Sequence, residues 1–335
     1  MTSASAAPPT GLLLDARFRD HLTPAWHPEA PARIDAIAAA LRRSDLAGRC
    51  RPLLPRPASD AELERCHSRE HVARVEHEAA AGRRELSSGD TPLCPASAAV
   101  ARLAAGGVLN AVDAVLSGQC RNAFAAVRPP GHHASRDVGM GFCLYNNIAL
   151  AARHAQQQHG LERVLIVDWD VHHGNGTQAI FWDDPSVLVF GTHQELLYPM
   201  SGFRRERGAG AGLGTTINCP LRAGSDGAAV LAAVREQLLP AADAFAPQLV
   251  LISAGFDAAA ADPLADFQLT AADFGALSRL VLELAERLSG GRLLSVLEGG
   301  YHLPSLAAAV EAHVAELVAA ADAASGAAGG SASRS

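Results

Sequence analysis

The chain has 335 residues, 49% of them hydrophobic, and a formal net charge of -7 at neutral pH. That length suffices for one large core, and the acidic balance without any basic block excludes the electrostatic footprint of a nucleic-acid binder or an anionic-membrane binder. No lysine occurs, which removes Schiff-base lysine chemistry and a Walker A phosphate loop.

In chain order, residues 1–10 lack the basic start and continuous apolar stretch of a signal peptide and read as a disordered tail. A strand is predicted at 12–14, a helix at 31–43, a strand at 50–54, a helix at 96–116 and a strand at 123–127. A helix at 147–159 precedes strands at 164–167, 187–190 and 215–219. A helix at 228–242, a strand at 249–253, a helix at 271–288, a strand at 293–297 and a helix at 306–320 complete the pattern. Residues 325–335, SGAAGGSASRS, are small and polar with nothing to bury and read as a second disordered tail. Residues 11–324 are expected to be a single domain. Alternating strands and helices predict an α/β protein, with a parallel sheet covered by helices on both sides and ligands held outside the carboxyl ends of the strands.

The six cysteines (Cys50, Cys66, Cys94, Cys120, Cys143 and Cys219) form no CxxC, so they read as reduced and mostly packed. No uncharged run is long enough to span a membrane, and the expected compartment is the cytoplasm.

The chemistry-bearing residues cluster after predicted strands. RPPGHH at 128–133 fixes a non-helical turn and holds His132 and His133 at a strand end. Paired histidines serve as base and acid, or sit idle in a surface loop. GMGFCLYNN at 139–147 brackets Met140 and Phe142 with glycines, which suits an apolar channel wall or a small buried turn. DWDVHHGNG at 168–176 supplies Asp168, Asp170 and His172. Alternation along an extended strand points these three the same way, and two or three of them suit a metal, the competing role being a capping turn. ISAGFDA at 252–258 supplies Asp257 as a further ligand or a helix N-cap. LEGGYHL at 297–303 puts Tyr301 after two glycines, where a phenol can donate to a developing oxyanion; Glu298 reads as a loop anchor.

In that order and at these spacings, RPPGHH, GFCLYNN, DWDVHHGNG, SAGFDA and EGGY resemble the zinc-dependent histone deacetylase superfamily, which includes bacterial deacetylase-like and acetylpolyamine amidohydrolases. The flanks HPEAPARI (27–34), HQELLYPMSG (193–202) and GAGAGLGTTINCPL (208–221) extend the likeness over all but the two tails. The resemblance implies the arginase-deacetylase fold with a central eight-stranded parallel sheet, and one zinc ion per chain held by Asp170, His172 and Asp257. It moves Asp168 behind His132 and places Asn175 behind His133. Relatives often carry Asp at that second position, and Asn resembles the class II branch and implies a less basic His133. His132, His133 and Tyr301 are then the catalytic groups. Phe142, Leu197, Tyr198 and Gly300 line the substrate channel, with Asp90 as a candidate grip at the rim.

The same resemblance implies a potassium ion at Asp168, Asp170 and His172. Gly191 stands there where relatives commonly have Ser, and a peripheral ion site falls near Phe181, Asp184 and Val187. Arg33 matches an arginine lining an internal product channel, against the competing reading of a helix-surface residue. Arg204, Arg205 and Arg207 could disfavour cationic substrates at the rim, or form a solvated loop. The expected function is removal of acyl groups from acyl-lysine peptides or acylated polyamines by metal-activated water, without nucleic-acid or membrane partners. A homo-oligomeric state and ferrous iron in place of zinc stay open. Two rival readings are a non-catalytic acyl-lysine binding or scaffold protein and a binuclear manganese ureohydrolase. The second needs an Asp where Ala259 stands.

Overall fold

Aliphatic runs with no polar alternation suit strands covered on both faces, and such runs form the centre of one parallel sheet of eight strands. They are β1 (Gly11–Leu14), β2 (Arg51–Leu53), β3 (Asn122–Ala126), β4 (Val164–Asp168), β5 (Val187–Gln194), β6 (Thr216–Leu221), β7 (Leu249–Ala254) and β8 (Leu293–Leu297), in the order β2-β1-β3-β8-β7-β4-β5-β6. The computed structural model describes residues 8–331. β3, β4, β7 and β8 are buried at every position. Registers such as Asp168 opposite Gly191 and Ser253 bring the carboxyl ends of β4 and β7 level to within one residue, while β5 runs on past them to Gln194.

The helices are α1 (Ala32–Arg43), α2 (Leu46–Arg49), α3 (Asp60–Leu63), α4 (Arg69–Ala80), α5 (Ser97–Leu116), α6 (Asn147–His159), α7 (Asn175–Ile180), α8 (Gly227–Ala233), α9 (Leu239–Phe245), α10 (Ala271–Ser289) and α11 (Leu303–Ser331). α5 and α6 pack together over β1, β3, β4, β7 and β8, while α10 and α11 pack together over β3, β7 and β8 with α1 against α11. α5 is long and apolar enough to cross a membrane, but most of that apolar surface lies inside the fold. Its Gly106 and Gly107 let it approach the segment after β2: a Cβ at Gly106 would collide with the Arg56 carbonyl, and one at Gly107 would lie 2.7 Å from Leu13.

Three expectations are corrected. Pro8, Pro9 and Thr10 are not a loose tail: the Pro9 and Thr10 carbonyls accept from the Arg121 and Arg51 amides, and Thr10 is buried. Residues 1–7 of that expected tail lie outside the described residues. At the other end α11 continues through Ser325 to Ser331, because adding alanine-rich turns to an existing helix avoids the cost of nucleating one; residues 332–335 of that expected tail lie outside the described residues. The expected helix at 228–242 is instead α8 and α9 joined by a π-helical turn, Val234–Leu238. Pro240 lacks an N–H and cannot close an ordinary helical hydrogen bond there.

Candidate metal centre and active site

β4 ends at Asp168, and the chain then leaves the sheet in a tight turn rather than extending it. The turn is closed by the carboxylates themselves: Asp168 Oδ1 accepts from the Asp170 amide at 3.1 Å and Asp170 Oδ1 from the His172 amide at 2.9 Å. Strand alternation therefore stops at Asp168, which separates its role from that of the next two groups. Asp168 Oδ2 lies 3.0 Å from His132 Nδ1, whereas Asp170 and His172 meet Asp257 from the loop after β7. The ligand atoms of Asp170, His172 and Asp257 all lie within 4.8 Å of one another, and all three residues are buried. His172 Nδ1 is 3.1 Å from both Asp170 Oδ1 and Asp257 Oδ2. Asp257 is a member of this trio rather than a helix cap.

Two carboxylates and one imidazole in a buried space have an oxygen and nitrogen donor set that suits zinc or ferrous iron. Their charges are strained without a cation: burial and Asp170 push the Asp257 carboxyl up to about 7. Against burial, Asp170 and Asp257 raise His172 to about 10. A divalent ion would replace that shared proton, so the residues present fit the metal the sequence implies. The approach of two loops requires glycine at 299, where a Cβ would collide with Asp257 Oδ2.

His132 and His133 lie side by side, ring centroids 4.0 Å apart, and are driven in opposite directions. Burial disfavours a charged His132, but Asp170 and Asp168 outweigh it and hold its pKa well above the ordinary value. Burial, with His132 and His172 as positive neighbours, holds His133 well below it. The Asn175 side-chain oxygen lies 2.7 Å from His133 Nδ1 and brings no charge to offset those effects. Glu298 is buried and anchors the histidine turn rather than its own loop: its Oε2 accepts from the Gly131 amide at 2.6 Å and the His132 amide at 3.1 Å.

A cavity of about 230 Å³ opens over these groups, lined by Asp90, His133, Gly141, Phe142, His172, Leu197, Tyr198, Leu264 and Tyr301. Larger grooves, such as one of about 850 Å³ beside α1 and α11, lie away from them. Phe142 is held in left-handed backbone, φ 69°, with its ring edge-on to His27 at 4.6 Å. Burial and Asp257 keep the Tyr301 phenol well above its ordinary pKa, hence protonated and a donor. Asp90 Oδ1 accepts from the Gly141 amide at 2.7 Å. Gly300 does not line the cavity: it bends the chain at φ 121° behind Tyr301, and its carbonyl faces Arg33.

Arg33 is no surface residue. It is fully buried, with Nε donating to the Gly300 carbonyl at 2.7 Å, Nη2 to the Glu298 carbonyl at 2.5 Å and Nη1 to Glu29 at 3.1 Å. Glu29 also pairs with Arg128, and this buried Glu29, Arg33 and Arg128 group escaped the sequence reading. The i to i+4 spacing of Glu29 and Arg33 within HPEAPARI was its available signal. Leu264 and Asp262 were missed too, having no motif beyond a short DPL.

The remaining candidates lie apart from the cavity. A Cβ added at Gly191 would make ordinary contacts, the nearest atoms being the Asp168 carbonyl at 3.8 Å and His193 Nδ1 at 3.9 Å. Asp184 pairs with Arg153 at 2.5 Å, Phe181 packs under that guanidinium and Val187 opens β5. Arg204, Arg205 and Arg207 are exposed and do not line the cavity, as in the solvated-loop reading. The cysteines are all free and, Cys94 apart, buried.

Among the described residues Asp113, His154 and His159 also approach within 4.8 Å of one another. Both Nε2 atoms, however, stand 2.7 Å from the same Asp113 oxygen, and Arg65 donates to His154 Nδ1 at 2.9 Å. With Nδ1 accepting, Nε2 carries the proton and has no lone pair for a metal. This cluster is a hydrogen-bonded staple between α5 and α6.

A parallel eight-stranded sheet with these groups at the carboxyl ends of its strands is the α/β arginase-deacetylase fold. The crystal structure of the HDA15 HD domain superposes with a TM-score of 0.89 at 40% identity, covering 94% of this chain and 90% of that one. A family model described as histone deacetylase domain matches residues 27–317, and the chain belongs to that family. It is 47% identical over 293 residues to "Polyamine deacetylase HDAC10" of Homo sapiens, over 84% of this chain and 43% of the relative. It is 43% identical over 279 residues to "Histone deacetylase-like amidohydrolase" of Pseudomonas aeruginosa, over 83% and 73%. The chain thus spans less than half the length of the human relative.

Proposed function

We propose that the chain is a metal-dependent amidohydrolase that removes acetyl or other acyl groups from amines, with acyl-lysine peptides and acylated polyamines as the substrate classes. One observation carries this reading: His133, His172 and Tyr301 meet in one narrow, largely apolar cavity, with the buried trio and the oppositely tuned histidine pair at its floor. The family and the names of the relatives support the same reaction class.

In this reading Asp170, His172 and Asp257 hold one zinc ion, which when bound supplies Lewis acidity to water and to the acyl carbonyl. His133, kept neutral, accepts the proton of the attacking water and delivers one to the leaving amine. His132, held charged against Asp168, stabilises the negative charge that develops nearby. The Tyr301 phenol donates to the oxygen that was the carbonyl. Phe142, Leu197, Tyr198 and Leu264 confine a linear chain and exclude water, and Asp90 offers a carboxylate beside them. A scaffold that only bound acyl-lysine would gain nothing from a histidine pair oriented by Asp168 and Asn175 beside the trio. In the ureohydrolase reading a second metal would need the position of Ala259, which is buried and apolar.

A potassium ion at Asp168, Asp170 and His172 belongs to the same reading, with Gly191 offering no side-chain ligand. Arg33 serves this reading as framework, since all three of its nitrogens already donate to protein groups. The test is Tyr301→Phe assayed on acetyl-lysine peptides and monoacetylated polyamines. Loss of one oxyanion donor should lower kcat by about 100-fold or more with metal content unchanged. Equal turnover in the variant would refute the role.

A further inference from the structure

Tyr301 follows two glycines, Gly299 and Gly300, so no side chain on its N-terminal side packs to fix the backbone from which the phenol projects, while on the other side His302 is tied to Ser305 at 2.8 Å. The position of Tyr301 is set instead by two buried charged side chains. From one side Arg33 holds the carbonyls of Glu298 and Gly300, its guanidinium carbon 5.1 Å from the Tyr301 ring centre. From the other side Asp262 takes the amides. Asp262 Oδ2 accepts from Tyr301 N at 2.7 Å and His302 N at 3.3 Å, while Oδ1 accepts from Leu264 N at 3.1 Å. Asp262 itself is only 7% exposed and lies in the loop after β7, five positions beyond Asp257.

One carboxylate thus joins two walls of the cavity, Leu264 and Tyr301, to the loop that supplies a member of the metal trio. We infer that Asp262 is the positioning residue for Tyr301, holding the phenol at the distance from the trio at which it can donate to the reacting oxygen. This inference rests on the hydrolase reading above. Asp262 does not face the cavity and touches no substrate; it acts through the backbone of Tyr301. Hydrogen bonds from amides to a buried carboxylate are strong and short-ranged, and loss of positioning by an ångström is enough to lower turnover severely. The expected consequence falls mainly on the step that uses the phenol: kcat drops far more than KM rises, because Leu264 is one apolar wall among several.

The test is a double-mutant cycle in the full chain with zinc added, using an acetyl-lysine peptide. Asp262→Asn keeps the shape and one acceptor oxygen but turns an NH₂ toward amide donors. It should lower kcat at least about 10-fold with KM within about threefold and metal stoichiometry unchanged. In the Tyr301→Phe background the same change should cost less than about twofold, because the hydroxyl it positions is already gone. Asp262→Glu, which retains the charge on a longer arm, should recover part of the lost kcat. An unchanged kcat in Asp262→Asn, or an equal fold loss in both backgrounds, overturns the inference; the second result would mark Asp262 as a general structural support. Absence of turnover in the unsubstituted chain on both the acetyl-lysine peptide and a monoacetylated polyamine would instead overturn the hydrolase reading itself, and this inference with it.

Discussion

Arg33 is fully buried, and every group it touches belongs to the frame of the site: Glu29, the Glu298 carbonyl and the Gly300 carbonyl. Arg33→Met preserves much of the volume but removes one of the two guanidinium groups facing Glu29 and frees two buried carbonyls. Breaking one side of a buried ion group costs about 3–5 kcal/mol, so urea denaturation should show a loss of that size. A loss under about 1 kcal/mol would mean that water replaces the guanidinium. The same scale shows what sequence reasoning reached. Asp170, His172 and Asp257 were legible as residue types able to bind a metal, but strand alternation placed Asp168 with them. β4 ends at Asp168 and the following turn is closed by the two aspartates' own hydrogen bonds, a departure that no periodicity reports. Asp262 and Arg33 act through backbone atoms far away in the chain, and so leave little trace in local pattern.

At the scale of elements, all eight strands were legible; β3, β4, β7 and β8 are buried throughout and read as apolar runs, whereas the edge strands β2 and β6 are only partly buried and carry polar residues. α3 and α4 were not: α4 is rich in Arg, Glu and His, and α3 is a single capped turn opened by Ser59 and Glu62. α5 offers a test in which two effects oppose each other. Replacing Gly106 with Ala should favour the helix by up to about 1 kcal/mol on propensity alone. The added methyl, however, would collide with the Arg56 carbonyl, and backbone cannot rotate away as a side chain can. Overpacking of this kind costs about 1–3 kcal/mol, so Gly106→Ala should lower the urea midpoint; a raised midpoint would show that the contact between α5 and the segment after β2 is loose.

For the whole molecule, folding places several histidines where only the neutral ring is tolerated. Burial lowers His67, His193 and His313 to about 3 and His21 to about 4 from a reference of 6.5. The unfolded chain takes up protons below pH 6.5 that the native state refuses, so stability declines as pH falls from there toward 3 to 4. Glu29 adds a second window. Burial works against its charged form, yet Arg128 and Arg33 prevail and bring it to about 2 from a reference of 4.5. That contribution is intact above pH 4.5 and is lost as pH falls toward 2. Each unit of difference is worth about 1.4 kcal/mol per group, so the urea midpoint should drop clearly between pH 7 and pH 5. A midpoint constant over that range would contradict the neutral burial of these rings.

The central claim is that a metal held by Asp170, His172 and Asp257 is required to cleave an acyl amide. It is tested most directly by measuring free amine released from an acetyl-lysine peptide by the purified chain before chelation, after chelation, and after adding back zinc or ferrous iron, with Asp257→Ala alongside. The account predicts turnover that disappears on chelation, returns with one equivalent of metal, and is absent from Asp257→Ala at every metal concentration. Turnover that survives chelation, or that Asp257→Ala retains in full, would contradict it.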